Sequence, residues 1–206
     1  MNSKKHAEIV YQTKFKDVIH MDPILMDIPT EFYTDRLYIR LPKPGDGKVV
    51  HEAIEASLNE LRPWMLFANY ERDEADTELG VREAHAKFIT RDDLRLYIFL
   101  KDTMQFIGSS GLHNPNWNVP SFEIGYWIDS RFSGKGYMTE AVRGITDYAF
   151  EHLNARRIEI RCDRINRRSI AIPERLGYTF EGSLRNHDIS VDGKTLRDTV
   201  IYAKVR

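Results

Sequence analysis

The stretch from Phe122 to Leu153 constrains the fold of this 206-residue chain more than any other segment. Residues 122–128 are rich in aromatic and β-branched side chains, which suit a packed β-strand. A turn containing Gly134 and Gly136 follows. Beyond it, apolar residues recur at the spacing of an amphipathic helix with one buried stripe: Met138, Ala141, Val142, Ile145, Tyr148, Ala149 and Leu153. The segment therefore predicts a strand, a glycine turn and a helix.

A turn of this kind can receive a phosphate group. The first turn of a helix has backbone N–H groups without intrahelical partners, and the helix dipole makes that end positive. Gly134 and Gly136 lack a Cβ, so an anion can approach the backbone, and Arg131 and Lys135 add positive charge. The turn is neither a G-x-G-x-x-G fingerprint nor a G-K-[ST] loop. For two glycines alone, an ordinary strand-to-helix connection is the simpler interpretation.

The spacing Arg131-x-x-Gly134-x-Gly136 resembles the coenzyme A pyrophosphate loop of the GNAT N-acetyltransferase superfamily, whose pattern is Q/R-x-x-G-x-G/A. The preceding residues 123–128 look like the fourth strand of that family. Downstream, Asn166-x-x-Ser169 and residues 173–178 are similar to its second acetyl-CoA motif. Two such motifs in the same order are a specific match, whereas either alone would be weak.

The resemblance extends from Phe32 to the C-terminus. Thr34-Asp35-Arg36-Leu37 and Leu61-Arg62-Pro63-Trp64 most resemble the RimJ/RimL branch, whose members acetylate the α-amino group of ribosomal proteins. The resemblance to this family implies an α/β acyl-CoA N-acyltransferase fold, with a central twisted mixed β-sheet and helices on both faces. It also implies an enzyme that transfers acetyl from acetyl-CoA to a primary amine, by direct attack in a ternary complex. A protein N-terminus is the acceptor that the branch favours.

Two residues are implied as catalytic. Glu123 stands where some family members carry a catalytic glutamate, which makes it the candidate general base. A strand carboxylate paired with a neighbouring arginine is an equally good interpretation of that residue. Ser169 aligns with a serine proposed to protonate the departing thiolate, although a hydrogen bond to sulfur or a helix N-cap is a plainer role. Many family members have a tyrosine acid where this chain has Pro173, so acid-catalysed departure is in doubt.

The resemblance also implies a set of coenzyme-binding positions. They are Ile128, Arg131, Phe132, Ser133, Gly134, Lys135, Gly136, Tyr137, Met138, Asn166, Ser169 and Arg175. For Asn166 a turn residue, and for Arg175 a solvated surface cation, are nearly as good interpretations. Trp64 and Trp117 fall in segments expected to border the amine cleft, but tryptophans in such places more often belong to the core.

Periodicity predicts the other elements. We expect strands over Arg36–Leu41, Leu94–Leu100, Gln105–Leu112 and Arg157–Asp163, and helices after Asp46 as cap, over Asp73–Thr90 and over Ser169–Leu176. Asp192-Gly193 is the signal of a type I′ hairpin between the last two strands. Residues 1–30 show no sustained period, which predicts an N-terminal arm followed by one domain over residues 31–206.

Composition narrows the class of protein. A net charge of −1 provides no field to attract nucleic acid or an anionic membrane, and no apolar run could span a bilayer. The first residues do not form a secretory signal, and a single cysteine, Cys162, fits a reducing cytoplasm. The seven histidines form no metal-binding motif, so no metal is expected.

Three matters stay open at this point. The acceptor could be a small amine, such as a polyamine or an antibiotic, instead of a protein N-terminus. A non-catalytic sensor that binds acyl-CoA could use the same fold. Monomer and homodimer are both compatible with the sequence.

Overall fold

The computed structural model describes residues 22–206, which form eight β-strands and five α-helices. The strands are β1 (Glu31–Tyr33), β2 (Leu37–Arg40), β3 (Leu94–Leu100), β4 (Phe106–Asn116), β5 (Ser121–Ile128), β6 (Arg157–Asp163), β7 (Thr179–Ile189) and β8 (Leu196–Val205). The helices are α1 (Gly47–Glu55), α2 (Leu58–Leu61), α3 (Glu74–Thr90), α4 (Tyr137–His152) and α5 (Arg167–Arg175). Of the predicted arm, residues 1–21 lie outside the described residues.

All eight strands belong to one mixed sheet with the order β1-β2-β3-β4-β5-β6-β8-β7. Neighbours are antiparallel except β5 and β6, which are parallel and are connected through α4. The predicted α/β class with a central mixed sheet is therefore confirmed.

The parallel pair separates halfway along β5. Its register runs from Ser121↔Arg157 to Glu123↔Glu159 and goes no further, although β5 continues to Ile128 and β6 to Asp163. The upper parts of the two strands thus diverge, and a gap opens in the middle of the sheet. The glycine turn and the first turn of α4 follow directly from the end of β5.

Two apolar clusters hold the helices to the sheet. On one face α4 and α5 cover strands β2 to β8 through fully buried side chains such as Ile145 and Ile158. On the other face α1 packs on α3, and Val50 and Val81 contact the aromatic residues of β2 to β4. Burying a large aliphatic side chain contributes about 1.5–3 kcal/mol, so these clusters fix where the helices lie.

The long periodic elements were predicted well. The expected strand Arg157–Asp163 coincides with β6, and α3 begins one residue after its cap, Asp73, which forms a capping box with Asp76. The strands expected over Leu94–Leu100 and Gln105–Leu112 are β3 and β4, but β4 runs on to Asn116, four residues beyond its expected end.

Three local predictions were wrong. Asp46 makes no side-chain capping bond, because its carboxylate binds the Arg40 guanidinium in two hydrogen bonds of 2.7 Å. The cap of α5 is Asn166, and the helix begins at Arg167, before the expected Ser169. The turn at Asp192 is not type I′, because Gly193 has a positive φ of +71° and Asp192 does not.

The described end of the predicted arm is tied to the domain. The Tyr148 hydroxyl donates to the Pro29 carbonyl at 2.7 Å, and the Arg91 guanidinium donates to that of Met26 at 2.8 Å. Among the described residues, no helix combines the length and the apolarity needed to cross a membrane.

Candidate active site

The turn between β5 and α4 presents a row of free backbone N–H groups. Gly134 and Gly136 both adopt left-handed φ values, +78° and +80°, which glycine reaches without steric cost. The N–H groups of residues 134–139 have no acceptor within residues 22–206. Six consecutive donors at a helix N-terminus, where the dipole is positive, suit a diphosphate.

The backbone N–H groups in the earlier part of this turn already have acceptors within the protein. The backbone N–H of Arg131 donates to the Asp129 carboxylate at 3.0 Å, and those of Phe132 and Ser133 donate to backbone carbonyls. The Arg131 guanidinium also binds the Asp129 carboxylate, whose side chain is fully buried, and this bond raises the pKa of Arg131. The free donors therefore begin at Gly134 and extend one residue beyond the predicted Met138, to Thr139.

A residue that we did not single out, Arg36, braces the turn from the other side. Its guanidinium donates to Glu140 at 2.6 Å and to the Lys135 carbonyl at 3.1 Å, and it lies 4.5 Å from the centre of the Tyr137 ring. Glu140 also accepts from the Thr34 hydroxyl at 2.6 Å. In the sequence, Arg36 was noted only as part of the Thr34–Leu37 motif. The spacing of that motif does not predict a contact with a helix about a hundred residues later.

Glu123 lies at the point where β5 and β6 separate. Its side chain is 26% exposed, accepts a hydrogen bond from the Asn114 amide at 3.1 Å and lies 3.9 Å from the Arg161 guanidinium. Arg161 makes its closer contact, 2.7 Å, with Glu159. Glu123 is therefore only loosely paired and remains accessible beside the gap.

On the helix-covered side of the gap, Tyr126 reaches α5. Its hydroxyl donates to the Ser169 carbonyl at 2.8 Å and accepts from the Ser169 hydroxyl at 3.2 Å. Burial raises the pKa of Tyr126 well above the ordinary tyrosine range, so the hydroxyl keeps its proton. Asn166 caps α5 by accepting from the Ser169 N–H at 3.2 Å, which is the turn role weighed for it.

Cys162 faces this same corner and is buried. Burial, partly offset by a hydrogen bond with Ser169, raises the pKa of its thiol to about 11. A protonated, enclosed thiol is a poor nucleophile.

The two candidate tryptophans do not share a cleft. Trp64 lies with its ring 6.0 Å from the Arg197 guanidinium. Trp117 instead donates from its indole to the Arg91 carbonyl at 3.2 Å and packs on Phe122, against the large apolar cluster. Trp117 is therefore half-buried against the large apolar cluster, and Trp64 lies beside β8.

Two further candidates stand apart from the loop. Ile128 is half-buried at the end of β5 and packs against the large apolar cluster. Arg175 ends α5, roughly 13 Å along the helix axis from Asn166, and borders a surface cavity of about 310 Å³ together with Arg143 and Lys204. A coenzyme held at the turn would have to extend along α4 and α5 to meet Arg175.

Comparison with known proteins agrees with this geometry. Residues 36–179 match the family model described as an acetyltransferase (GNAT) domain. The chain is 32% identical over 174 residues to the "Putative ribosomal N-acetyltransferase YdaF" of Bacillus subtilis (strain 168), covering 84% of this chain and 92% of that protein. It is 25% identical over 152 residues to the ribosomal-protein-serine acetyltransferase of Escherichia coli (strain K12), covering 74% and 79% of the two chains.

A solved structure gives the same fold. The Microcin C7 self-immunity acetyltransferase MccE, crystallised with acetyl-CoA and AMP, superposes with a TM-score of 0.78. The match covers 84% of this chain and 94% of that one, at 22% sequence identity.

Proposed function

The chain belongs to the GNAT acetyltransferase family, in its RimJ/RimL-like branch, and from that premise we propose that it transfers acetyl from acetyl-CoA to the α-amino group of a protein N-terminus. The observation that carries the proposal is the combination of six free N–H groups at residues 134–139 with the gap that opens above Glu123. The first can hold a diphosphate, and the second can admit an extended thioester arm between two strands.

The residues around the turn fit coenzyme A. The N–H groups of Gly134 to Thr139 would hold its diphosphate, with Arg36 and Lys135 contributing charge beside them. The backbone edge of β5 beyond Glu123 has no partner on the β6 side, so it can pair with the amide groups of the pantetheine arm. The thioester would then end near Glu123.

The chemistry needs no covalent enzyme intermediate. The amine lone pair attacks the thioester carbonyl carbon, a C–N bond forms, the C–S bond breaks and the electron pair leaves on sulfur. Holding both reactants together supplies much of the rate enhancement, because a bimolecular step becomes effectively unimolecular. On the helix-covered side, the hydroxyls of Ser169 and Tyr126 are the candidate donors to the departing thiolate, and each would have to exchange its present hydrogen bond to reach it.

We place Glu123 against the amine, either as its base or as the charge that holds its ammonium form. Glu123→Gln is expected to lower kcat/KM for the amine about 100-fold while leaving coenzyme affinity unchanged. The matched control is Glu151→Gln, on the exposed surface of α4. Kinetics across a pH series check the role, and a kcat/KM for the amine that is unaltered at every pH would remove Glu123 from the mechanism.

The proposed acceptor, a protein N-terminus, is supported by the large share of this chain that aligns with ribosomal acetyltransferases. The two ribosomal acetyltransferases named above align along 84% and 74% of this chain. The open face beside Glu123 also carries charges of both signs, Glu159, Arg161 and Arg197 among them, whereas a polycation site would favour carboxylates alone.

Release of free thiol from acetyl-CoA tests the function. The acceptor panel contains peptides beginning with Ser or Ala, the same peptides with a blocked N-terminus, and spermidine. We expect release only with the unblocked peptides. Release with spermidine alone would identify a small-amine enzyme, and coenzyme binding without release from any amine would identify the non-catalytic sensor.

A further inference from the structure

His113, a histidine outside every motif described above, lies on the open face of the sheet beside the gap. It is the cross-strand partner of Glu123, since β4 and β5 pair His113↔Glu123 and Gly111↔Gly125 in one register. Directly opposed residues of an antiparallel pair point to the same face. His113 and Glu123 therefore share the face from which an acceptor can approach.

An aspartate fixes the imidazole. Its Nδ1 lies 2.7 Å from Oδ2 of Asp93, in the connection between α3 and β3. Since a carboxylate only accepts, Nδ1 carries the hydrogen, and Nε2 is left with a lone pair. The His113 and Asp93 side chains are 25% and 23% exposed, so the pair is held in place but still exchanges protons with water.

Two glycines let the ring lie flat along the sheet toward the gap. A Cβ built on Gly111 would be 2.9 Å from Cε1 of the imidazole, and one built on Gly125 would be 3.5 Å from Nε2. Gly125 is the second residue after Glu123, in the part of β5 that has separated from β6. Nε2 therefore lies next to Gly125, on the part of β5 along which the thioester would lie.

We propose that His113, oriented by Asp93, takes the proton from the acceptor ammonium, while Glu123 holds that ammonium beside the gap. This inference rests on the proposed acetyltransferase function. The ammonium gives one proton to Nε2, and the imidazolium releases it to water. The neutral amine forms the C–N bond, the C–S electron pair moves to sulfur, and the second proton lost by nitrogen is taken up by the thiolate.

The charged groups around the imidazole come from several strands. Asp93 and Arg95 flank it from the β3 side, and Glu123 faces it across the β4–β5 pair. Glu159 and Arg161 lie one strand further away and bind each other at 2.7 Å. One carboxylate, Asp93, therefore binds the ring, and another, Glu123, lies opposite it across the strand pair.

The test compares His113→Gln with wild type in the thiol-release assay at about pH 6.5 and about pH 9, which bracket the α-amino pKa of about 7.7–8.0. At the lower pH we expect kcat/KM for the peptide to fall about 100-fold. At the higher pH the loss should shrink to a few-fold, because solution already supplies the neutral amine. His85→Gln is the control, since His85 binds the Pro42 carbonyl in another part of the chain.

Asp93→Asn provides a second route if His113→Gln loses coenzyme affinity by calorimetry. This variant keeps the imidazole in place but no longer holds the hydrogen on Nδ1. We expect the same fall in kcat/KM at the lower pH and the same recovery at the higher pH. If wild type turns over but the variants lose kcat/KM equally at both pH values, or lose none, the proposed role of His113 and Asp93 is wrong. The proposed acetyltransferase function would stand. No wild-type turnover with any amine would overturn both.

Discussion

Glu140 shows how one side chain can connect the start of β2 to the glycine turn before α4. It accepts hydrogen bonds from the Thr34 hydroxyl at 2.6 Å, the Arg36 N–H at 2.8 Å and the Arg36 guanidinium at 2.6 Å. The same guanidinium reaches the Lys135 carbonyl, so the start of β2 is connected to the turn before α4. Burial acts to raise the pKa of Glu140, but these hydrogen bonds together outweigh it, and the folded-state pKa lies below 4.5.

This shift predicts a stability change in acid. The stabilisation by the carboxylate is complete above the unfolded-state pKa and is lost as the pH falls through the lower folded-state pKa. Thermal midpoints measured from about pH 6 to about pH 3 should therefore show wild type above Glu140→Gln at the higher pH, with the difference narrowing on acidification. Glu151→Gln, on the exposed side of α4, is the control. A difference that stayed constant over the range would contradict this role.

The connection between β2 and α1 depends on a buried ion pair. Arg40 and Asp46 are joined by two hydrogen bonds of 2.7 Å, and their side chains are 11% and 12% exposed. Asp46 also accepts from the Lys43 N–H at 2.7 Å. The pair fixes the path of the chain from the sheet into the first helix.

Removing one member of that pair should cost more than removing both. Arg40→Met leaves a buried carboxylate without its counter-charge, and we expect it to lower the free energy of unfolding by about 3–5 kcal/mol. Arg40→Met combined with Asp46→Leu should recover part of that loss. Urea unfolding of Arg40→Met, of Asp46→Leu and of the double variant measures the coupling, and a double variant with simply additive losses would argue against it.

Elements with a sustained period were predictable, and those set by distant contacts were not. The apolar stripe from Met138 to Leu153 identified α4, because a helix with one buried face shows apolar residues at helical spacing within its own sequence. Asp46 was expected to cap a helix, but Arg40 takes its carboxylate, and that pairing exists only once β2 is in place.

The candidate site divides in the same way. The free N–H groups of the glycine turn follow from a local pattern, and the turn was found from the sequence. His113 and Glu123 are ten residues apart, and they face each other only through the register of β4 and β5. A one-residue slip would place them on opposite faces, so no spacing rule could have joined them.

Across the whole molecule, the two faces of the sheet differ in how far their apolar cover extends. The α4 and α5 side is buried from β2 to β8, whereas the α1 and α3 side is apolar only as far as Trp127 on β5. Beyond it lie charged side chains that pair within β6 and across strands: Glu123, Glu159, Arg161, Arg157 and Glu181. The open half of that face is where we propose that an acceptor meets the gap, opposite the helices that follow the glycine turn.

Calorimetric titration with coenzyme A tests the account most directly. We compare wild type with the variant Gly134→Ala/Gly136→Ala, whose left-handed φ values cost an alanine roughly 1–2 kcal/mol each and would turn the free N–H groups away. Gly193→Ala is the matched control, with a φ of +71° and open space around it in the β7–β8 turn. Wild type and control should bind alike, and the double variant at least about 10-fold more weakly. No binding by wild type, or equal binding by all three, would contradict the account.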